Sequence, residues 1–321
     1  MYENEFKGFS YGFRPGRNQH RALDALSVAL VKRKINWVLD ADIRGFFDRI
    51  SHEWLMKFIE HRIADKRVLR HIKKWLKAGV LEAGKVQYST EGTPQGGSIS
   101  PLLANIYLHY VLDLWIDWWR THKAKGDIII VRYADDFIVG FQYYHEAKAF
   151  QKALSERLAK FNLELHPEKT RLIEFGRFAI ENRKQRGQSK PATFDFLGFT
   201  HICSHTRYGV LVVRRKTIRE RRRRKLKEIK AELRKRKHQP KPVVGKWLRQ
   251  VLFGYYHYFG VPFNSQDLRA MRMLVTRLWL KVLNRRSQKN SMKWDQMNRL
   301  VDKWLPPARI YHPFPTQRLV V

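Results

Sequence analysis

Apolar residues recur at helical spacing over residues 20–33, where Ala22, Leu23, Ala25, Leu26, Ala29 and Leu30 share one face and predict a first helix. A short apolar run, Trp37-Val38-Leu39, follows and leads straight into Asp40-Ala41-Asp42-Ile43; it reads as a strand. The helical period returns from Ser51 to Lys77, with Ser51 ahead of Glu53 and Trp54 as its start. Three glycines and a proline in Gly92-Thr93-Pro94-Gln95-Gly96-Gly97 defeat both helix and sheet, so a loop is expected there. A long helix is expected from about Ser100 to Trp119. Ile128–Tyr133 and Phe137–Phe141 are apolar runs of strand length, and Ala134-Asp135-Asp136 between them makes a hairpin with acids at its tip. A helix over 144–161 and a strand over Phe194–Phe199 complete this part.

Past residue 213 the pattern changes character. Arg214–Lys237 holds 15 Lys or Arg against three acids, yet Ile218, Leu226, Ile229 and Leu233 still fall on one helical stripe. That combination predicts a basic helix resting one face on a core. Pro240 and Pro242 end it. The remainder, with Trp247, Tyr255, Tyr256, Tyr258, Trp279 and Trp294 among basic residues, reads as a small helical domain. Two domains are therefore expected, 1–213 and 214–321, which suits a chain of 321 residues. Taken singly, each of these aromatics is expected in helical core rather than on a stacking platform.

Charge narrows the partners. Lys and Arg number 64 against 29 Asp and Glu, a net +35, and a compact chain with that excess calls for a polyanion. Nucleic acid is favoured over a membrane, because no apolar run approaches the roughly 20 residues needed to span a bilayer. Met1-Tyr2-Glu3-Asn4-Glu5 lacks a secretory pattern. The single cysteine, Cys203, cannot form an internal disulfide, which suits a reducing compartment. The expected setting is a bacterial cytoplasm or nucleoid.

The chemistry concentrates in three acids. Asp42 ends one apolar strand, and Asp135 and Asp136 sit at the tip of an apolar hairpin. Carboxylates gathered on buried elements repel each other unless a cation sits among them. Oxygen-only ligands suit Mg²⁺, and two such ions roughly 3.5–4 Å apart serve in-line phosphoryl transfer. Against this stands the fact that Asp is common in ordinary turns. His201, Cys203 and His205 alternate on an expected strand, but a fourth zinc ligand is not apparent and the spacing is read as coincidence.

The surrounding residues decide between these readings. Tyr133-Ala134-Asp135-Asp136 between two apolar strands resembles the YADD box of reverse transcriptases. Ser10-Tyr11-Gly12-Phe13-Arg14-Pro15-Gly16-Arg17, Asp42-Ile43-Arg44-Gly45-Phe46-Phe47-Asp48 and the segment from Gly92 to Ile106 resemble the preceding blocks of that family. Leu165-His166-Pro167-Glu168-Lys169-Thr170 and Phe196-Leu197-Gly198-Phe199 resemble the following ones. Six blocks in the family's order span residues 10–199, in wording closest to group II intron proteins. Further on, Phe253–Gly260 and Leu305–Pro315 resemble the heart and tail of the family's thumb, or maturase, domain.

The resemblance implies an α+β fold: a right-hand polymerase palm of antiparallel sheet and helices with partial fingers, then an α-helical thumb. It implies Asp42, Asp135 and Asp136 as catalytic metal ligands, assisted by the backbone carbonyl of Ile43, around two Mg²⁺ ions for which Mn²⁺ can substitute. Phe47 matches the gate that excludes a ribose 2′-OH, and Gln95 matches a contact to the incoming nucleotide. Arg14 either reaches the triphosphate or braces its loop; Lys169 either touches the primer-terminal phosphate or caps a helix. Asp48 is expected to be structural and Tyr133 to pack near the primer end. The implied partners are group II intron RNA, an RNA template, a DNA primer and dNTPs.

The chain departs from the family in having only nine residues before Ser10, so part of the fingers is expected to be missing. It also carries no endonuclease signature at its far end. The function expected is RNA-directed DNA polymerisation with intron RNA binding for splicing. The alternative is a polymerase-deficient maturase that only binds intron RNA.

Overall fold

The computed structural model describes residues 1–77, 80–82, 85–87, 92, 98–188, 191–286 and 291–318. Packing divides the chain into two compact units, residues 1–192 with 205–211 and residues 193–204 with 212–321. The compositional change at residue 214 falls inside a strand of the second unit.

The first unit begins with a loop and α1 (Gln19–Lys32), whose N-cap Asn18 accepts a bond from the Arg21 N–H at 2.9 Å. Its sheet has the order β4-β5-β1-β6, from β1 (Trp37–Ala41), β4 (Ile128–Tyr133), β5 (Asp136–Phe141) and β6 (Arg171–Glu174). All neighbours are antiparallel. Strands β4 and β5 are buried almost end to end, which explains why their residues run apolar without alternation.

Helices α2 (His52–Glu60), α3 (Lys66–Lys77), α4 (Ser100–Leu108), α5 (Leu114–His122) and α6 (Tyr144–Ala159) build the core around this sheet; α7 (Ala179–Gln185) follows β6. Phe137, Val139 and Phe141 meet Tyr107, Val111, Phe150 and Leu154 there. β2 (Val80–Glu82) and β3 (Lys85–Gln87) pair as a short backbone hairpin, and residues 93–97 of the expected glycine loop lie outside the described residues. Ser51 caps α2 as its sequence predicts, accepting from the Trp54 N–H.

The second unit holds a three-stranded sheet of β7 (Thr193–Phe196), β8 (Phe199–His205) and β9 (Leu211–Thr217), in that order. Its helices are α8 (Arg219–Lys235), α9 (Lys241–Phe259), α10 (Ser265–Asn284), α11 (Trp294–Trp304) and the short α12 (Pro315–Arg318). Ile229 and Leu233 of α8 are buried as the stripe requires, and Leu248, Leu252, Tyr256, Trp279, Met297 and Val301 join the helical core.

Four elements differ from expectation. The helix expected over Ser51–Lys77 is two, because Asp65 turns its carboxylate onto the Arg67 N–H at 2.8 Å and starts a new helix. The helix from Ser100 is interrupted by a π-helical turn at His109–Asp113. Phe194–Phe199 is a hairpin, since Leu197 and Gly198 both adopt positive φ between β7 and β8. Arg214, Arg215 and Lys216 belong to β9 and not to the basic helix; alternation buries Arg215 and exposes its two neighbours.

Candidate active site

The last rung between β1 and β5 pairs Ala41 with Phe137. Asp42 is the next residue on one strand and Asp136 the preceding one on the other, so both leave the sheet at the same end. Tyr133 pairs with Asp136, leaving Ala134 and Asp135 as the two-residue tip. Ala134 takes φ +58°, a left-handed conformation that an alanine adopts only when its surroundings impose it.

Those surroundings are specific. Arg132, fully buried, donates to the Ala134 carbonyl at 2.8 Å and to Asn105 Oδ1 at 3.0 Å. Its other donors grip Asp113 at 2.7 and 2.6 Å. Asn105 in turn donates to the Gly12 carbonyl at 2.7 Å. Gly12 lies so close to the tip that a Cβ there would fall 2.3 Å from the Ala134 nitrogen, so any side chain would displace the tip. Residues 9–11 pair along β4: the Arg132 N–H donates to the Phe9 carbonyl and the Tyr11 N–H to that of Arg132. The glycine of the Ser10–Arg17 block thus has a steric reason, and the block is a brace for the acidic hairpin.

The electrostatics of the tip fit a cation. The Asp135 carboxyl is pushed above its ordinary range, first by burial and then by the Asp42 charge, with Arg132 acting in the opposite sense. A buried carboxyl beside a second acid is a site that a divalent ion relieves. The bridge between Ile43 and Leu165 is closed by the Arg44 N–H onto the Glu164 carbonyl and the His166 N–H onto the Asp42 carbonyl. The Ile43 carbonyl takes no part in those two bonds. Asp42 itself is engaged: the Lys169 ammonium lies 2.8 Å from its Oδ2 and has its own pKa raised by that contact. Among the described residues no three His, Cys, Asp or Glu stand close enough to hold a metal as they are.

The remaining expected residues separate. Phe46 is buried against Tyr107, while Phe47 is partly exposed, its ring edge-on to Phe46 at 5.2 Å. Gly92, at positive φ, lies against the Phe47 and Asp48 backbone and donates to the Ile50 carbonyl, which brings the start of the glycine loop beside Phe47. Gln95 lies outside the described residues. Arg14 is buried and divided among Glu3 and the carbonyls of Lys7 and Ser10, at 2.8–2.9 Å. Of its two expected roles, the bracing one matches this geometry. Tyr133 is half-buried beside Phe13. His201 is buried, stacked on Phe194 at 4.7 Å and driven down to about 3 by burial and by Arg215, so it stays neutral in the core.

Sequence reading missed Asn105, Asp113 and Arg132. The signal was present: Arg132 is the one charged residue in an otherwise apolar strand, and such a residue requires a buried partner.

The family model described as reverse transcriptase (RNA-dependent DNA polymerase) matches residues 1–201. Protein YkfC of Escherichia coli is 30% identical over 248 residues, covering 66% of this chain and 60% of that protein. The group II intron-encoded protein LtrA of Lactococcus lactis subsp. cremoris is 45% identical over 132 residues, 39% of this chain and 21% of its own length. The chain therefore spans less than two thirds of either relative's length. Among solved structures, telomerase from Candida Tropicalis superposes with a TM-score of 0.50 at 14% identity, covering 91% of this chain and 49% of that one, a likeness of fold alone.

Proposed function

The chain belongs to the reverse transcriptase family, with group II intron-encoded proteins among its relatives, and from that premise we propose that it copies RNA into DNA. The observation that carries the proposal is the convergence of Asp42 and Asp136 at one end of the sheet, with Asp135 beside them and held up partly by the Asp42 charge. Asp42, Asp135, Asp136 and the Ile43 carbonyl would hold two Mg²⁺ ions. When bound, such ions make a primer 3′-OH a better nucleophile and neutralise the departing pyrophosphate.

The chain's own residues do the positioning. The network of Arg132, Asp113, Asn105 and Gly12 supports the backbone of the acidic tip from behind. Phe47 keeps the gate role that the resemblance implies, its ring favouring deoxyribose by crowding a 2′-OH. Lys169, paired with Asp42 at 2.8 Å, would supply its ammonium to substrate phosphate beside that acid. Gln95 keeps the nucleotide-contacting role that the resemblance implies. The net charge of +35 supports intron RNA, template and primer as the polyanionic partners.

A second reading, a maturase that binds intron RNA without polymerising, has its own support in the Lys169–Asp42 pair, which turns one of the three acids away from a ligand role. Primer extension on an RNA template with Mg²⁺ and dNTPs separates the two. Extension by the wild type but not by Asp135→Asn/Asp136→Asn establishes the polymerase. No extension by a folded protein, with RNA binding equal in both, establishes the binding protein.

A further inference from the structure

Within the second unit, helices α8 and α9 enclose a groove of about 500 Å³, the size range of small-ligand sites. One wall is basic: Arg221, Arg224 and Lys225 line it, against a single carboxylate, Glu228, that is already paired with Lys225 at 3.0 Å. The floor is apolar and aromatic, with Tyr255, Tyr258 and the backbone of Gly254. Tyr258 is pinned in place, its hydroxyl donating to the Leu197 carbonyl at 2.9 Å and its ring stacked on Phe199.

Gly254 is the telling residue. It stands in the interior of α9, where glycine weakens a helix. Gly245, nine residues earlier, has an internal reason: a Cβ there would lie 2.5 Å from the Trp304 ring. Gly254 has none, because its Cβ would meet open space. It lies one turn before Tyr258 on the same helical face, so the missing side chain bares the backbone in front of that ring. Among the described residues no atom lies within 4 Å of the place that a Gly254 side chain would take.

We propose that this groove receives one unpaired nucleotide of a bound RNA, its base laid over the Gly254 backbone against Tyr258 and its phosphate held by Arg221 and Arg224. The inference rests on the RNA-binding reading above and adds the site and the structural feature it recognises. Flat bases stack on aromatic rings whatever their identity, and guanidinium groups pair with phosphate bidentately. RNA offers such nucleotides at bulges and loops, where the base is already out of the stack. A continuous duplex does not, so the site selects for an interruption in pairing.

The test compares an RNA hairpin carrying a single-nucleotide bulge with the same hairpin fully paired, by fluorescence anisotropy on the whole chain at fixed salt. The wild type is expected to bind the bulged RNA about tenfold more tightly, within the range of one base stacked on an aromatic side chain. Gly254→Leu fills the groove from a position with free space; it is expected to unfold at an equal or higher temperature, retain binding to the paired hairpin and lose the preference. Arg224→Gln is expected to weaken binding and reduce the salt slope by about one. A wild type with no preference, or a folded Gly254→Leu that keeps it, overturns this site while leaving RNA binding intact. Absence of binding to either hairpin overturns both the site and the reading beneath it.

Discussion

The guanidinium of Arg132 holds both oxygens of Asp113, at 2.7 and 2.6 Å, at a point where neither side chain is exposed. The pair links β4 to the π-helical turn and so ties the acidic hairpin to the helix behind it. The π-turn shifts the register of the helix within its own length, and Asp113 closes that turn. Such turns are frequent at functional sites, and this one carries the carboxylate that holds Arg132.

Breaking that pair is expected to be severe. Asp113→Ala leaves a buried guanidinium short of its carboxylate and should lower stability by about 3–5 kcal/mol, read as a reduced urea midpoint. Replacing both partners, Arg132→Met with Asp113→Leu, should recover only part of that loss, because Asn105 and the Ala134 carbonyl lose their donor as well. The double variant should nonetheless lose primer extension, because Ala134 no longer has a donor to hold its carbonyl. Retained extension in a folded double variant would remove the network from the site.

The Asp135 carboxyl predicts a pH signature. Its pKa is raised from an ordinary 3.8, so the folded chain binds that proton more tightly than the unfolded one. Stability contributed by this group therefore falls as pH rises, in a window that opens near 3.8 and ends above the raised value. Asp135→Asn, neutral throughout, should melt at a higher temperature than wild type at pH 7 in EDTA. The gap should narrow toward pH 4. A lower melting temperature for the variant at pH 7 would contradict the burial argument.

Lys169 and Asp42 predict a competition between cations. The pair is largely exposed, so Lys169→Ala should change stability by less than about 1 kcal/mol. Removing the internal ammonium should tighten Mn²⁺ binding, followed by titration with the metal's paramagnetic resonance signal. Unchanged Mn²⁺ affinity would mean that Lys169 does not compete for Asp42.

Two glycines of α9 should respond with opposite signs. Gly245→Ala drives a methyl into Trp304 and should destabilise by about 1–3 kcal/mol, less whatever helix propensity returns. Gly254→Ala meets nothing and should stabilise by about 1 kcal/mol. Thermal melts of the two variants beside wild type decide the matter; equal shifts would show that local packing is not what distinguishes the positions.

Much of this was legible along the chain. Apolar runs that ended in Asp42 and flanked Asp135-Asp136 placed the acids on buried strands, because a strand packed on both faces must be apolar throughout. Ser51 announced its helix by its own side chain. The stripe of Ile229 and Leu233 survived inside a run of cations, since only one face of a helix needs a core. These features are local, set by spacing within one element and by the chemistry of the residue concerned.

What the sequence could not decide were relations between distant residues. Nothing near Gly12 says that the Ala134 backbone will lie against it, and nothing near Asp113 says that Arg132 will point its way. The carbonyls of Lys7 and Ser10 that Arg14 holds are gathered only by the folded loop. Two glycines on one helix look alike in sequence, yet Trp304 stands against Gly245 and open space against Gly254. Periodicity records which face of an element is buried; the identity of what buries it, or the emptiness left there, is settled only when tertiary packing brings separate elements within a few ångströms.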